Sequence, residues 1–157
     1  MCSSDLEAFL VRHGEARSEH EDPKRPLSGP GREGVEKVAR ALAAKKVVVA
    51  AILRSDKLRA KETAEILARS LLPRAGVREI RGLAPEDDPW LAKAELEEAS
   101  GPLMLVGHLP HLGRLASLLV TGDPEHQVVD FQPAGVVCLS FAGGTWEIRW
   151  ALNPAQA

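Results

Sequence analysis

Short apolar runs alternate with amphipathic helical segments along the 157 residues of this chain. The apolar runs have the length and composition of strands that are buried on both faces of a sheet. A helix between two such strands returns the chain so that the strands lie parallel, and the helices then cover both faces. The alternation therefore predicts an α/β fold, a three-layer sandwich around a mostly parallel sheet.

The sheet is predicted to contain about six strands, each an apolar run bounded by turn residues. These runs are 8–11, 47–53, 77–80, 103–106, 136–141 and 146–150. Helices are predicted in the intervals between the first five runs, with apolar faces at 35–42, 60–71, 88–99 and 112–119. The last two runs flank Gly143-Gly144, which predicts a C-terminal antiparallel hairpin.

Composition limits the partners that this chain can bind. The net charge of −2 offers no basic footprint for nucleic acid, and the chain has no tyrosine and only three phenylalanines on which bases could stack. No apolar run approaches the ~20 residues that span a bilayer, so no membrane association is expected. With 45% hydrophobic and 27% charged residues, the chain is expected to form a single domain over 1–157 and to be a monomer.

The two cysteines, Cys2 and Cys138, form no C-x-x-C pair. Cys138 lies in an apolar run and is expected in the core, whereas Cys2 is expected in a frayed terminus. Residues 1–5 lack the basic and apolar regions of a signal peptide. These features predict a cytoplasmic protein without a disulfide framework.

The first predicted strand ends in Arg12-His13-Gly14. Ligands of open α/β sheets bind at the carboxyl ends of the strands. The planar fork of an arginine matches phosphate oxygens, and a neutral imidazole is a competent nucleophile because its ordinary pKa is about 6.5. Gly14 lets the backbone turn or approach a ligand closely. We interpret Arg12 as a candidate phosphate clamp and His13 as a candidate nucleophile.

Two further strand ends carry residues of the same kind. Gly107-His108 follows the fourth predicted strand, and Arg59 lies in the first turn of the helix that follows the second. Helix N-termini favour anions through their free N–H groups and the macrodipole. The carboxyl ends of parallel strands share one edge of a sheet, so these side chains are predicted to meet in one anion pocket.

These motifs resemble those of the histidine phosphatase superfamily, the phosphoglycerate mutase-like proteins. The resemblance rests on three motifs that occur in the family's order and approximate spacing: Arg12-His13-Gly14, Ser55-x-x-x-Arg59-Ala60-x-x-Thr63 and Gly107-His108. Within the superfamily the chain is most similar to the SixA-type phosphohistidine phosphatases, by its short length, Arg25-Pro26-Leu27-Ser28 and His108-Leu109-Pro110. Asp56 departs from the pattern, since relatives often carry proline there, but aspartate also favours a helix N-terminus.

The resemblance implies a phosphatase that works through a phosphohistidine intermediate on His13. Arg12 and Arg59 would clamp the phosphoryl group, because charged forks neutralise its equatorial oxygens. His108, protonated beside a bound phosphate, would donate a further hydrogen bond. The expected catalytic set is therefore Arg12, His13, Arg59 and His108.

Three further residues are candidates for substrate binding: Arg25, Gly14 and Asp22. The resemblance places Arg25 near the phosphate and a carboxylate at the position of Asp22. The ring nitrogen of His13 that does not attack phosphorus needs a hydrogen-bond acceptor to fix its tautomer. Gly14 or Ser55 can supply this partner, and the sequence does not decide between them.

The source of a general acid stays open. Cleavage of a phosphomonoester benefits from proton donation, and larger members of the family supply a glutamate from an extra segment. The corresponding region is short here, which leaves Glu86 and Asp22 as candidate carboxylates. A phosphoramidate needs less help, because imidazole leaves easily once its far nitrogen is protonated. The lack of a dedicated acid therefore favours phosphohistidine as the substrate.

Neither a metal nor another cofactor is expected. The chain has no H-E-x-x-H motif, and His111, three residues after His108, has no third ligand at a recognisable spacing. We expect His111 at a helix start on the rim of the pocket, and His20 and His126 in solvent. Cationic side chains would take the place of a magnesium ion.

Three functions stay possible for this sequence. The predicted one is removal of phosphate from a phosphohistidine in a protein, such as a phosphorelay or phosphotransferase component. The first alternative is a phosphatase for a small phosphomonoester, which would make the partner a small phosphorylated molecule. The second is a non-catalytic phosphate-binding module on the same fold, against which the complete set of two arginines and two histidines argues.

Overall fold

Residues 6–157, which this computed structural model describes, form a six-stranded sheet. The strands are β1 (Leu6–Arg12), β2 (Ala51–Arg54), β3 (Val77–Glu79), β4 (Leu103–Gly107), β5 (Val136–Ala142) and β6 (Thr145–Leu152). Their order across the sheet is β3-β2-β4-β1-β5-β6. The first four pair in parallel, and β5 and β6 continue the sheet antiparallel. The predicted mostly parallel sheet with a C-terminal antiparallel hairpin is confirmed.

Helices cover both faces of this sheet. They are α1 (Gly29–Ala44), α2 (Leu58–Leu71), α3 (Pro89–Glu98) and α4 (His111–Thr121), and a short 3-10 helix (Pro154–Gln156) follows β6. The side chains of α1 and α2 form one core with one face of the sheet, and those of α3 and α4 form a second core with the other. The predicted three-layer sandwich is confirmed.

Both faces of β1 are buried between these layers. Phe9 and Val11 pack with side chains of α1 and α2, whereas Ala8 and Leu10 pack with those of α3 and α4. All four are at most 1% exposed. Successive side chains of a strand point to opposite faces, so a strand covered on both sides requires an unbroken apolar run. The same run therefore brings Arg12, at its end, to the edge of two cores.

Side-chain caps mark the first turns of two helices. Ser28 Oγ accepts the N–H of Gly31 at 3.0 Å and begins α1. The carboxylate of Asp88 accepts the N–H of Trp90 at 3.0 Å and begins α3. Such caps satisfy backbone N–H groups that a helix leaves free at its first turn. They determine where the loops that follow β1 and β3 end.

The second strand is shorter than the predicted run 47–53. Lys46 has a φ of +62°, and the N–H of Val47 donates to the Leu42 carbonyl at 3.1 Å, which ends α1. Val48 is 71% exposed. The apolar side chains of this segment do not make it a strand, because the end of α1 determines its backbone. The other strand ends differ from the predicted ones by one or two residues.

Cys138 is buried and its thiol is free, as predicted. Burial raises the pKa of this thiol to about 12, so it is protonated at neutral pH. The prediction for Cys2 concerns residues outside the described range. In that range, none of the helices combines the length and the apolar character that crossing a membrane requires.

Candidate active site

The three motifs lie at one edge of the sheet. The strands β2, β4 and β1 are parallel neighbours, and their carboxyl ends are in register: Arg12 pairs with Gly107, and Arg54 pairs with Val106. The chain leaves these ends directly into the residues that carry His13, Ser55 and His108. The predicted convergence is confirmed.

The two imidazoles face each other across this edge. The ring centroids of His13 and His108 are 5.0 Å apart, with the planes inclined at 55°. The backbone N–H of His13 donates to the carbonyl of Gly107 at 3.0 Å, which ties the two loops together just beyond the paired strands. Two histidines from separate strands are thereby held around one small space.

One ring nitrogen of His13 is already occupied. Nδ1 lies 2.7 Å from the carbonyl oxygen of Gly14. A carbonyl accepts and cannot donate, so Nδ1 carries the proton and Nε2 keeps its lone pair. Burial, followed by the charges of nearby arginines, lowers the pKa of His13 to about 4, although the Gly14 hydrogen bond opposes the shift. His13 is therefore neutral at pH 7, and Gly14, rather than Ser55, holds its tautomer.

His108 is hydrogen-bonded through Nε2, whereas His13 is hydrogen-bonded through Nδ1. Ser55 Oγ lies 2.6 Å from His108 Nε2, and the N–H of Lys57 donates to the same oxygen at 3.3 Å. The serine hydroxyl has no other acceptor among the described residues, so we assign its proton to Nε2, which places the proton of His108 on Nδ1. That atom is buried and has no hydrogen-bond partner within residues 6–157. A neutral His108 thus presents one N–H donor without a partner.

The expectation that His108 is protonated beside a bound phosphate stays a prediction, and the pKa of the ring describes the free protein. Burial lowers the pKa of His108 to about 3, and the repulsion that a second proton would meet from a protonated His13 and from the charge of Arg59 acts in the same direction. The ring is therefore neutral at pH 7 before an anion binds. Its Nδ1–H donates without a positive charge, because Ser55 rather than protonation determines the tautomer.

Arg12 and Arg59 are partly buried at the same edge. Nη1 of Arg12 donates to the carbonyl of Phe131 at 3.0 Å, which fixes the guanidinium at the end of β1. Nε of each arginine is buried without a partner among the described residues. Burial lowers the pKa of both, yet arginine stays charged at neutral pH. Buried cationic N–H groups that lack an acceptor fit an anionic ligand.

Arg25 reaches the site from the loop between β1 and α1. Its charge contributes to lowering the pKa of both His13 and Arg59. Its Nε donates to the carbonyl of Arg17 at 3.0 Å, and its backbone has a φ of +49°, in the left-handed region. The loop is anchored on α2, where Glu62 accepts the N–H of Leu27 at 2.7 Å. The structure therefore brings the charge of Arg25 toward His13 and Arg59.

No hydrogen bond or ion pair joins the candidate acids, Asp22 and Glu86, to His13, Arg59 or His108 among the described residues. Asp22 Oδ1 accepts the N–H of Lys24 at 3.0 Å and shapes the turn before Arg25. Glu86 is exposed on the turn before α3. A carboxylate that sequence reasoning missed is Glu19, whose charge raises the pKa of Arg59. Glu19 is exposed in a polar loop, and nothing in its sequence context distinguishes it from the other acidic residues there.

Gly14 is required for close packing of the backbone. A Cβ at this position would lie 2.6 Å from Cγ2 of Val35 and 3.0 Å from the carbonyl oxygen of Gly31, both in α1. The N–H of Gly14 donates to Thr63 Oγ1 at 3.0 Å. Gly14 thus faces α1 and α2, and its lack of a side chain lets the loop that carries His13 lie against these helices. The sequence places Thr63 in the motif with Ser55 and Arg59, and its contact with Gly14 is visible only in the structure.

The prediction that His111 lines the pocket rim is wrong. His111 does begin α4, but it is fully buried. Burial lowers its pKa to about 4, against the opposing charge of Asp87. His20 and His126 are exposed, as predicted. Within residues 6–157, no group of three His, Cys, Asp or Glu side chains is arranged to hold a metal ion.

A solvent-open groove of about 290 Å³ adjoins the site. Its lining includes Leu109, which follows His108, and Phe131, whose carbonyl holds Arg12. Val129 adds to its apolar wall, and the ion pair of Arg114 with Glu125, 3.0 Å between Nη2 and Oε2, lies at its edge. The groove is therefore an open surface with an apolar wall beside the residues that carry His108 and hold Arg12.

Comparisons with known proteins agree with this geometry. The profile of the histidine phosphatase superfamily (branch 1) matches residues 8–84. An uncharacterized protein of Picosynechococcus sp. is 37% identical over 142 residues, 85% of this chain and 84% of the relative. The phosphohistidine phosphatase SixA of Escherichia coli (strain K12) is 27% identical over 156 residues, 96% of each chain.

A solved structure of the protein histidine phosphatase SixA, complexed with tungstate, has the same fold. It superimposes with a TM-score of 0.85 at 26% sequence identity, and the match covers 96% of this chain and 98% of that one. The sequence similarity and the superposition extend over nearly the full length of this chain. The chain belongs to the histidine phosphatase superfamily and is a homologue of SixA.

Proposed function

We propose that this protein is a phosphohistidine phosphatase that acts on a phosphorylated protein. The observation that carries the proposal is the orientation of His13. Its Nδ1 is held by the Gly14 carbonyl at 2.7 Å, so Nε2 offers a lone pair. The neutral ring lies beside His108 and within the influence of Arg12, Arg25 and Arg59. This arrangement is a nucleophile next to donors for a phosphoryl group.

The reaction proceeds in two transfers. Nε2 of His13 attacks phosphorus as the P–N bond of the substrate breaks, and the substrate imidazole leaves neutral because its far nitrogen is protonated. The phosphorylated His13 ring carries a positive charge, with its Nδ1 proton on the Gly14 carbonyl. Water then attacks phosphorus, Nε2 recovers its electron pair, and the water proton leaves with inorganic phosphate. His13 returns to its starting tautomer.

The remaining groups stabilise the phosphoryl oxygens. The partnerless Nε atoms of Arg12 and Arg59 and the Nδ1–H of His108 are donors that an anion would satisfy. Arg25 adds a further positive charge from its loop. Donors fixed before the reaction stabilise the charge of a transition state without reorganising. No step in this scheme requires a metal ion.

The choice of phosphohistidine rests on the leaving group. An alkoxide requires a proton donor, whereas Asp22 is engaged by its own turn and Glu86 is exposed. An imidazole needs no such donor. The homologue SixA is named a phosphohistidine phosphatase, which supports the same substrate class here. The open groove beside His108 leaves room for the surface of a protein that carries the phosphohistidine.

A phosphatase for small phosphomonoesters is the second candidate. The observation in its favour is Glu19, a carboxylate close enough to Arg59 to raise the pKa of that arginine. Protonated, Glu19 could donate to an ester oxygen at the mouth of the site. This candidate predicts that Glu19→Gln lowers turnover of esters far more than turnover of phosphoramidate.

Initial rates on a phosphohistidine protein, phosphoramidate and a panel of phosphomonoesters decide between the candidates. We expect the protein and phosphoramidate to be turned over fastest. During turnover the enzyme should carry an alkali-stable, acid-labile phosphoryl group on His13. His13→Ala should lose both label and turnover, while His126→Ala, at an exposed histidine, should keep both. Turnover retained by His13→Ala would contradict the proposal, and phosphate binding without turnover by the native chain would indicate a binding module.

The two other site variants should differ from His13→Ala. His108→Ala keeps the nucleophile but loses a donor, so the label should still form, with a rate reduced about 10²–10³-fold. Arg59→Ala should weaken phosphate binding as well as turnover, since a clamp acts in both the ground and the transition state.

A further inference from the structure

The hydroxyl of Thr63 connects two parts of the site. Thr63 lies in α2 and is fully buried. Its Oγ1 donates to the carbonyl of Arg59 at 2.8 Å and accepts the N–H of Gly14 at 3.0 Å. A hydroxyl has a single proton. That proton is donated to the backbone carbonyl of Arg59, and a lone pair of the oxygen accepts the N–H of Gly14.

The second of these bonds acts on the nucleophile through one residue. Gly14 gives its N–H to Thr63 and receives the Nδ1–H of His13 on its carbonyl, at 2.7 Å. Movement of Gly14 toward α1 is limited, because Cγ2 of Val35 and the Gly31 carbonyl already lie against its Cα. The orientation of the carbonyl that fixes the His13 tautomer therefore depends on the Thr63 hydroxyl.

The same hydroxyl joins distant segments of the chain. Gly14 and Thr63 are 49 residues apart in sequence. One lies in the loop after β1, which carries His13, and the other lies in the helix whose first turn carries Arg59. A displacement of about 1 Å between reacting groups costs on the order of 10² in rate. The hydrogen bond between Gly14 and Thr63 joins these two segments and therefore limits displacement of His13 relative to Arg59.

We propose that Thr63 is a positioning residue. It holds the Gly14 carbonyl against Nδ1 of His13 and fixes the position of the nucleophile relative to Arg59. This inference rests on the proposed function, because it takes His13 as the nucleophile. Serine preserves both hydrogen bonds of Thr63. Valine has nearly the same shape but can make neither.

The test compares Thr63→Val with Thr63→Ser, using phosphoramidate and ¹⁵N NMR of the His13 ring. The His13 resonances are identified by their absence from His13→Ala. We expect native protein and Thr63→Ser to show the Nδ1–H tautomer and similar kcat. Thr63→Val should show a mixture of tautomers, and its kcat should fall about 10–100-fold, the loss typical of removing the partner that orients a functional histidine in metal sites.

Thr121→Val is the matched control. Thr121 donates to the Ser117 carbonyl at 2.8 Å and accepts the N–H of Asp123 at 3.1 Å, the same two-bond pattern at the end of α4. The Thr121→Val variant should leave kcat and the His13 tautomer unchanged. All assays are made at a temperature at which circular dichroism shows each variant folded. If Thr63→Val does not fold, Thr63→Ala removes the same hydroxyl and carries the same expectation.

The outcomes separate this inference from the proposed function. If His13→Ala abolishes turnover but Thr63→Val keeps the native kcat and tautomer, the positioning role is wrong and the phosphatase proposal stands. If Thr63→Val changes the tautomer while His13→Ala retains turnover, the hydrogen-bond relay exists but His13 is not the nucleophile. An equal loss in Thr63→Ser and Thr63→Val, with the native tautomer in both, would show that Thr63 acts through packing alone.

Discussion

The hydroxyl of Ser55 lies 2.6 Å from Nε2 of His108, and both side chains are almost completely buried. The serine stands at the end of β2 and the histidine at the end of β4. Since the Ser55 hydroxyl has no other acceptor among the described residues, we assign its proton to the imidazole. One buried serine thereby determines which nitrogen of His108 points its proton toward the site.

Ser55→Ala should allow His108 to adopt either neutral tautomer. The buried Nε2 would lose its partner, which costs about 1–3 kcal/mol of stability, and turnover should fall about 10–100-fold, as for other histidines that lose an orienting partner. Urea denaturation and initial rates on phosphoramidate measure the two effects. Ser100→Ala, at an exposed serine, is the control. Unchanged turnover in a folded Ser55→Ala would show that His108 needs no fixed tautomer.

Gly14→Ala should damage both stability and catalysis. The added methyl group would lie 2.6 Å from Cγ2 of Val35, which forces the nucleophile's loop away from α1. Overpacking of this kind costs about 1–3 kcal/mol, and the displaced Gly14 carbonyl would no longer hold His13. Chemical denaturation and kcat are the measurements.

Gly113→Ala is the stability control for that substitution. Its added Cβ would meet nothing within 4 Å, and the residue lies inside α4. Alanine is favoured over glycine in a helix by about 1 kcal/mol, so this variant should be as stable as the native protein or more so. A Gly14→Ala protein that matches Gly113→Ala in stability and the native protein in kcat would refute the packing argument.

Stability should decrease as the pH falls from about 6.5 to about 4. Burial lowers the pKa of His13 and His111 to about 4 and that of His108 to about 3. The unfolded chain takes up these protons near the ordinary histidine pKa of about 6.5, before the folded protein does. More protons are then bound in the unfolded state, so the free energy of unfolding falls with the pH. Above pH 7, these three groups contribute no slope.

Denaturation curves between pH 4.5 and 7.5, a window set by those pKa values, measure this slope. His111→Gln should reduce it, since His111 is a buried contributor that lies outside the proposed catalytic set. His126→Gln, at an exposed histidine, should leave it unchanged. A slope that does not respond to His111→Gln would mean that this ring is not buried in its neutral form.

Turnover should survive chelation. The proposed phosphoryl donors are the side chains of Arg12, Arg59 and His108, and positively charged groups can neutralise phosphate oxygens as a bound ion does. Initial rates with and without EDTA, on protein freed of metals by dialysis, should agree within a factor of about two, a difference well below 1 kcal/mol in barrier. Loss of activity in EDTA that a divalent ion restores would contradict this mechanism.

Much of the fold follows from local patterns. The unbroken apolar run before Arg12 predicts a strand with two buried faces, because neighbouring side chains enter both cores. Ser28 and Asp88 predict the starts of α1 and α3 through their capping chemistry. The run 47–53 was misleading, because the end of α1 controls its first four residues through Lys46 and the hydrogen bond from Val47 to Leu42.

Strand-end positions together with the three family motifs indicated Arg12, His13, Arg59 and His108 in the sequence. The partners of these groups required the tertiary structure. Gly14 is next to His13 in the sequence, but the direction of its carbonyl is a feature of the folded loop. That Ser55 holds His108 and that Thr63 spans 49 residues to Gly14 are contacts between distant segments. So are the burial of His111 and the proximity of Glu19 to Arg59.

There is a physical reason why the sequence predicts the elements of the fold but not the contacts within the site. Strand and helix patterns arise from neighbours within a few residues, which a sequence displays directly. Tautomers, hydrogen-bond partners and pKa shifts depend on which atoms lie within about 3–6 Å in space. In this protein the sequence by itself determined which chemical groups stand at the edge of the sheet. The packing of α1 and α2 against that edge decided which nitrogen of His13 is left to react.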